Sequence, residues 1–152
     1  MLIREAQQND WPEIYQLIES NMQAMQLALG LPWDKSSILD YFMSKDVLIS
    51  VKDNALCGFI AYEIRPERQI IHSLQIVTEH QNGFLGYRLF KAAFIKGNTT
   101  SLAETEVSCR VFENNYAQQQ YFALGFKEIS RDKGILALTM PRQQLMQKLK
   151  LS

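Results

Sequence analysis

A chain of 152 residues has the length of one domain, at roughly 150 residues each, and can bury a core without metals or disulfides. Its 16 Lys plus Arg balance 16 Asp plus Glu, so the net charge is zero, which excludes the basic excess of a dedicated nucleic-acid binder. A hydrophobic content of 47% excludes a disordered chain.

Met1 to Glu5 reads as a short strand. Asp10 is placed as a helix N-cap, with Glu13 as its capping-box partner and Pro12 in the first turn. Trp11, Ile14, Leu17 and Ile18 recur at helical spacing, so a helix is expected from residue 10 to about residue 20. Residues 21–36 hold a further helical stretch that breaks at Gly30-Leu31-Pro32-Trp33, and Ser36 or Ser37 is expected to cap a second helix carrying Ile38, Leu39, Tyr41 and Phe42. The period then changes. Val47–Val51, Leu56–Ile64 and Gln69–Val77 form an antiparallel meander, with turns at Lys52-Asp53-Asn54 and Arg65-Pro66-Glu67-Arg68. A glycine-bearing turn, His80 to Gly86, leads into a helix over Tyr87–Ile95. Glu106–Phe112 is a strand, Asn114–Leu124 a helix stopped by Gly125, and Lys127–Ser130 with Ile135–Met140 a closing hairpin. A short amphipathic helix starts at Arg142 and carries Leu145, Met146 and Leu149 on one stripe. The order β-α-α-β-β-β-α-β-α-β-β predicts an α/β (α+β) fold: one mixed, mostly antiparallel sheet of six to seven strands with helices on both faces, over a single domain, 1–152.

Cys57 and Cys109 both lie in strand-like runs and are expected as buried, reduced thiols. With two Cys and two His, no metal cluster is expected. No apolar run reaches the roughly 18 to 20 residues that span a bilayer, and Met1-Leu2-Ile3-Arg4-Glu5 is unlike a signal peptide. The expectation is a cytoplasmic protein without membrane or nucleic-acid partners.

Two stretches carry chemistry. After Ile76-Val77-Thr78-Glu79-His80, the run Gln81-Asn82-Gly83-Phe84-Leu85-Gly86 opens a helix whose first N–H groups lack partners, and no acidic side chain lies between Gln81 and the end of that helix. That is an anion site of the kind that suits a phosphate. Later, Asn114 opens a helix on which Ala117 and Tyr121 share a face, one turn apart, leaving room beside the phenol.

Together these stretches resemble the GNAT N-acetyltransferase superfamily. Gln81-Asn82-Gly83-Phe84-Leu85-Gly86 is similar to its Gln/Arg-x-x-Gly-x-Gly/Ala loop, with Phe84 standing where the family has its first loop glycine. Asn114, Ala117, Tyr121, Gly125 and Phe126 match its Asn-x-x-Ala-x-x-x-Tyr-x-x-x-Gly-Phe pattern, and Cys57-Gly58-Phe59-Ile60 looks like its third strand.

The resemblance implies acetyl-CoA in a V-shaped opening between the fourth and fifth strands, and an N-acetyltransferase in which a primary amine of a small molecule attacks the thioester directly. Backbone at Ile76 and Val77 is implied to hold the pantetheine arm, and Gln81, Asn82, Gly83, Phe84, Leu85 and Gly86 the pyrophosphate, with Asn114 and Ala117 beside the arm. Tyr121 is implied as the acid for the departing thiolate. For the base, His72 is the candidate, with Glu63, Glu106 or a water chain as alternatives. Met25, Trp33 and Tyr41 are candidates for the acceptor wall. A protein (lysine or N-terminal) acetyltransferase and a non-catalytic acyl-CoA-binding module are the alternative functions, and a monomer or homodimer is expected.

Overall fold

The structure, a computed structural model, describes residues 1–81, 83–98, 105–115 and 117–150. It contains strands β1 (Leu2–Glu5), β2 (Asp46–Lys52), β3 (Ala55–Arg65), β4 (Arg68–Ile76), β5 (Glu106–Phe112), β6 (Lys127–Asp132) and β7 (Ile135–Pro141). Its helices are α1 (Trp11–Ala28), α2 (Lys35–Met43), α3 (Leu85–Asn98), α4 (Ala117–Leu124) and α5 (Arg142–Lys148). The seven strands form one sheet in the order β1-β2-β3-β4-β5-β7-β6. Every neighbouring pair is antiparallel except β4 and β5, which are parallel. A parallel pair needs a crossover, and the chain between β4 and β5 contains α3.

The helices bury their apolar stripes on opposite faces of the sheet. On one face Ile14, Leu17 and Ile18 of α1 and Phe42 of α2 pack on Val47, Ile49, Phe59 and Ala61. On the other, Leu89, Phe90, Ala93 and Phe94 of α3, with Leu145 and Leu149, pack on Ile60, Ile71, Val107, Leu136 and Leu138. Cys57 through Tyr62 are buried without alternation, as a strand covered on both faces requires. β5 alternates instead, with Val107, Cys109 and Val111 buried and Glu106 and Arg110 exposed. Both cysteines are buried and free, and burial pushes the Cys109 thiol up to about 12.

Several local expectations are corrected. α1 is one helix to Ala28, because nothing in residues 21–28 breaks it; it stops where Gly30 takes a φ of +75°. Asp10 and Glu13 form no capping box. The Asp10 carboxylate is drawn instead to Arg4 (2.8 Å) and to the Gln7 N–H (2.7 Å), and Glu13 accepts from the Leu56 N–H (3.3 Å). Asp34, not a serine, caps α2: its carboxylate accepts from the Ser37 N–H (2.9 Å) and hydroxyl (2.6 Å). α4 starts at Ala117, capped by Asn115, whose Oδ1 accepts from the Ala117 N–H (2.9 Å). The helix expected from Asn114 includes Tyr116, and the C-terminal stripe extends toward Leu151; both residues lie outside the described ones. No helix among the described residues is long and apolar enough to cross a membrane.

Candidate active site

β4 and β5 pair over only four positions, Arg68 with Glu106 through Ile71 with Cys109, and then part. The parting coincides with a bulge: Ile71 faces Tyr62 and Ser73 faces Ala61 on β3, so His72 is the extra residue. A bulge bends its strand and re-aims a side chain. It leaves Ser73 and Gln75 reaching toward α1, where both contact the Met22 sulfur, while Leu74 and Ile76 pack against the α3 core. At the end of β4, Val77 donates its N–H to the Cys57 carbonyl (2.9 Å). Successive residues of a strand present their backbone groups to opposite edges. Gln75 and Ser73 therefore also turn to β3, and Leu74 and Ile76 turn to the edge that β5 has left. The Ile76 carbonyl takes Asn21 Nδ2 (3.1 Å) and Gln81 Nε2 (3.1 Å); its N–H and the backbone of Leu74 face the opening.

A cleft of about 420 Å³ fills this V. Its walls come from the end of α1, the α1–α2 loop, α2, the splayed ends of β4 and β5, and α4. Among its lining residues are Tyr41, His72, Leu74, Arg110, Asn115, Ala117 and Tyr121.

His72 stands in a chain of short hydrogen bonds. Its Nε2 lies 2.7 Å from Glu63 Oε1 and its Nδ1 lies 2.6 Å from the Tyr41 hydroxyl. Glu63 also meets Lys45 Nζ (3.0 Å) and Arg65 (3.1 Å). The Lys45 bond, with those from His72 and Arg65, holds the Glu63 carboxyl down to about 2, so it is an anion at neutral pH. An anionic acceptor at Nε2 requires Nε2 to carry the proton, so Nδ1 accepts from the Tyr41 O–H. Burial lowers the His72 pKa below its ordinary 6.5, against the raising effect of Glu63. The imidazole is therefore neutral at pH 7, with its basic nitrogen aimed at Tyr41. Burial raises the Tyr41 pKa, and nearby Arg110 opposes that rise. The hydroxyl is thus protonated and able to relay.

Tyr121, 7% exposed, comes from α4 and is held by Phe90 and Phe126, the latter edge-on at 5.4 Å between ring centroids. Ala117 precedes it by one turn on the same wall of the cleft. Burial raises the Tyr121 pKa strongly, so it is a phenol and not a phenolate. Its hydroxyl has no hydrogen-bond partner among the described residues.

Beyond β4, Thr78–His80 is one 3-10 turn, and α3 follows from Leu85. The first helical bond there is Arg88 N–H to the Phe84 carbonyl (3.0 Å), which leaves the amides of Leu85, Gly86 and Tyr87 without partners in the helix. Phe84 keeps a negative φ and is 83% exposed. The Gly83 and Gly86 positions are open, since a Cβ at either would meet nothing closer than 3.7 Å. Asn82 lies outside the described residues.

The cleft thus gathers His72, Leu74, Ala117 and Tyr121; Ile76, Gln81 and the start of α3 follow Leu74 along the chain but are not among its lining residues. Asn114 is turned elsewhere, donating from Nδ2 to the Met25 carbonyl (3.2 Å), and its neighbour Asn115 lines the cleft. Glu106 pairs with Arg68, at the closed end of the β4–β5 ladder. Of the acceptor-wall candidates only Tyr41 lines the cleft; Trp33 packs in the α1 core and bonds the Tyr15 hydroxyl (2.9 Å). Sequence reasoning missed the hydrogen bond between Tyr41 and His72 and the placement of Arg110. The bulge at His72 that aligns the first has no residue signature, whereas the second follows from the alternation of β5.

No family sequence model and no curated sequence matches the chain. Solved structures do. A PaiA N-acetyltransferase from Thermoplasma acidophilum in complex with coenzyme A superposes with a TM-score of 0.70 at 17% identity, over 92% of this chain and 98% of that one. An aminoglycoside 6'-N-acetyltransferase complexed with coenzyme A gives 0.71 at 11% identity, over 93% and 97%. The ribosomal-protein-S18-alanine N-acetyltransferase from Escherichia coli gives 0.70 at 16% identity, over 92% of each chain. The chain has the fold of the GNAT N-acetyltransferases.

Proposed function

We propose that this chain is an acetyl-CoA-dependent N-acetyltransferase that acetylates a primary amine of a small molecule. The observation that carries this reading is the parting of β4 and β5 at His72, which leaves an unpaired strand edge beside a cleft walled by His72 and Tyr121. Several residues fit the cofactor. The Ile76 N–H and the Leu74 backbone offer hydrogen bonds to an amide-bearing arm, and Ala117 leaves space for one beside Tyr121. The amides of Leu85, Gly86 and Tyr87, at the positive end of the α3 dipole, suit a pyrophosphate. Gly83 and Phe84 form the approach to them, with the Phe84 side chain exposed to solvent. Gln81 sets the bend by holding the Ile76 carbonyl. When bound, acetyl-CoA supplies the activated acetyl thioester.

The protein's own contribution is orientation and proton handling. An amine arrives as an ammonium ion and must lose a proton before it attacks. The Tyr41 oxygen accepts that proton while passing its own to His72 Nδ1, and Glu63 stabilises the imidazolium at Nε2. General base catalysis of this kind contributes on the order of 10²–10⁴-fold. On the other wall, the Tyr121 phenol donates its proton to the sulfur as the C–S bond breaks. A regulatory binding module has no use for an open acid and a base facing each other across the cleft, which favours an enzyme. The cleft of about 420 Å³ has to take the cofactor arm as well as the acceptor amine, which leaves room for a small acceptor group. Cytoplasmic placement and one domain over 1–152 belong to the same reading.

The test is thiol release from acetyl-CoA over a panel of amines and peptides. Turnover is expected on small amines, with Tyr121→Phe slowed about 100-fold, at the lower end of acid–base effects, and its coenzyme A affinity by calorimetry retained. Coenzyme A binding with no thiol release on any acceptor returns the binding-module reading. Turnover on peptides alone returns the protein acetyltransferase.

A further inference from the structure

Arg110 is the cation of the cleft that the mechanism above does not use. It occupies the first position of β5 past the last β4–β5 pair, level with His72. Val107, Cys109 and Val111 face the core, so the alternation of β5 sends Arg110 to the opposite face, toward α2. It lines the same cleft as Tyr41, and its charge opposes the rise that burial gives that hydroxyl's pKa. It makes no ion pair or hydrogen bond with the described residues.

The carboxylates nearby are spoken for. Asp34 is bound to the N–H and the hydroxyl of Ser37, and Glu63 stands behind His72 with Lys45 and Arg65. Nor is Arg110 placed for the phosphates of a nucleotide cofactor. The free amides of α3 come after Ile76, four strand residues beyond His72, or roughly 13 Å at 3.3 Å per residue. What remains is a planar, always charged fork of donors that matches a carboxylate, beside the hydroxyl that receives the acceptor's proton.

We propose that the acceptor is a small amino carboxylate, its ammonium group set at Tyr41 and its carboxylate paired with Arg110. This rests on the acetyltransferase reading, which it narrows from any primary amine to one that carries an anionic partner group a short distance away. An ion pair across the splay holds the amine in one orientation, and orientation is a large part of what such a site contributes. It also selects, since an amine lacking the carboxylate leaves the guanidinium unpaired.

The test compares amino acids with their own amides, which keep the amine and remove the charge: L-methionine against L-methioninamide, and 4-aminobutyrate against 4-aminobutyramide. Two readouts are needed, kcat/KM for thiol release and calorimetric binding to the protein saturated with coenzyme A. At least one acid is expected to exceed its amide tenfold or more in both. In Arg110→Gln that ratio falls toward one, chiefly through KM, and Arg110→Lys restores part of it. Equal use of acid and amide by the unaltered protein, binding of neither acid, or a ratio that survives Arg110→Gln overturns the proposal. The calorimetry separates the two claims. Acids that bind better than amides without any thiol release uphold Arg110 and sink the acetyltransferase; amides acetylated as well as acids do the reverse.

Discussion

At the scale of single residues, the charge state of His72 is set by three neighbours pulling in different directions. Burial lowers its pKa, Glu63 raises it, and Lys45 and Arg65 lower it again. The base form is the neutral one, so kcat/KM is expected to rise with pH through an inflection below 6.5 and to level off above it. Replacing Glu63 by Gln removes the one group that stabilises the imidazolium. The acidic limb of the profile then moves to lower pH, while the plateau drops, since the proton taken up at Nδ1 is held less well. A stability readout gives an independent check on the same carboxylate. Its folded pKa of about 2 lies below the ordinary 4.5. Stability from Glu63 is therefore present above 4.5 and lost as pH falls from there toward 2, and Glu63→Gln is expected to flatten that acid slope in urea unfolding. An unmoved pH–rate limb in Glu63→Gln would mean that the proton does not pass through His72.

Between elements, the site depends on how closely β3 presses on β4. A Cβ added at Gly58 would stand 2.8 Å from the Gln75 carbonyl oxygen and 2.7 Å from Ile76 Cδ1, with Leu89 of α3 at 3.3 Å. A side-chain tip can move, but the Gln75 carbonyl is backbone and belongs to the ladder with Phe59. Gly58→Ala therefore has to push the end of β4 away, along with the free edge of Leu74 and Ile76. Overpacking of this kind costs about 1–3 kcal/mol, or a fall in Tm of roughly 2–4 °C for each kcal/mol in a domain of this size. Coenzyme A affinity is expected to fall with it, and a Tm fall with affinity intact would place the cofactor edge elsewhere. The same elements show what periodicity can convey. Strand positions and the Gly125 stop are carried by hydrophobic spacing and glycine, and the sequence reading finds them; the opening between β4 and β5 is implied only by the family resemblance, and their parallel pairing is seen only in the fold. The Asp34 cap, the Asp10–Arg4 pair and the bulge at His72 are decided by which partner lies within reach after folding. A capping pattern such as Asp10 with Glu13 is locally valid and still loses to a cation brought from β1.

Across the molecule, the two halves of the sheet meet at β4 and β5, and Arg142, fully buried at the start of α5, ties them there. Its Nη1 donates to Gln69 Oε1 on β4 (3.1 Å) and its Nη2 to the Phe94 carbonyl at the end of α3 (3.1 Å). Gln69 in turn donates to the Ala93 carbonyl (2.8 Å), and the guanidinium lies 4.2 Å from the centre of the Phe94 ring. The Arg142 N–H donates to the Thr105 carbonyl (2.8 Å). One residue thus links β4, α3, α5 and the entry to β5, at the closed end of the V whose open end holds the cleft. Among the described residues it does so without a carboxylate partner and with Nε unsatisfied, and burial lowers its pKa. An apolar side chain would avoid that desolvation, but it could not serve Gln69 and Phe94 at once. Arg142→Ala leaves Gln69 Oε1 without its donor, at about 1–3 kcal/mol, takes a second donor from the Phe94 carbonyl, and opens a cavity beside the Phe94 ring. The total expected loss is about 3 kcal/mol or more, read as a lower midpoint in urea with an unchanged slope, because the surface exposed on unfolding stays the same. The cleft is remote from this end, so thiol release at a temperature where the variant is still folded is expected to persist. If activity disappears while the fold survives, the closed end of the V sets the geometry of the open one, and the β4–β5 angle is a mechanical property of the whole sheet.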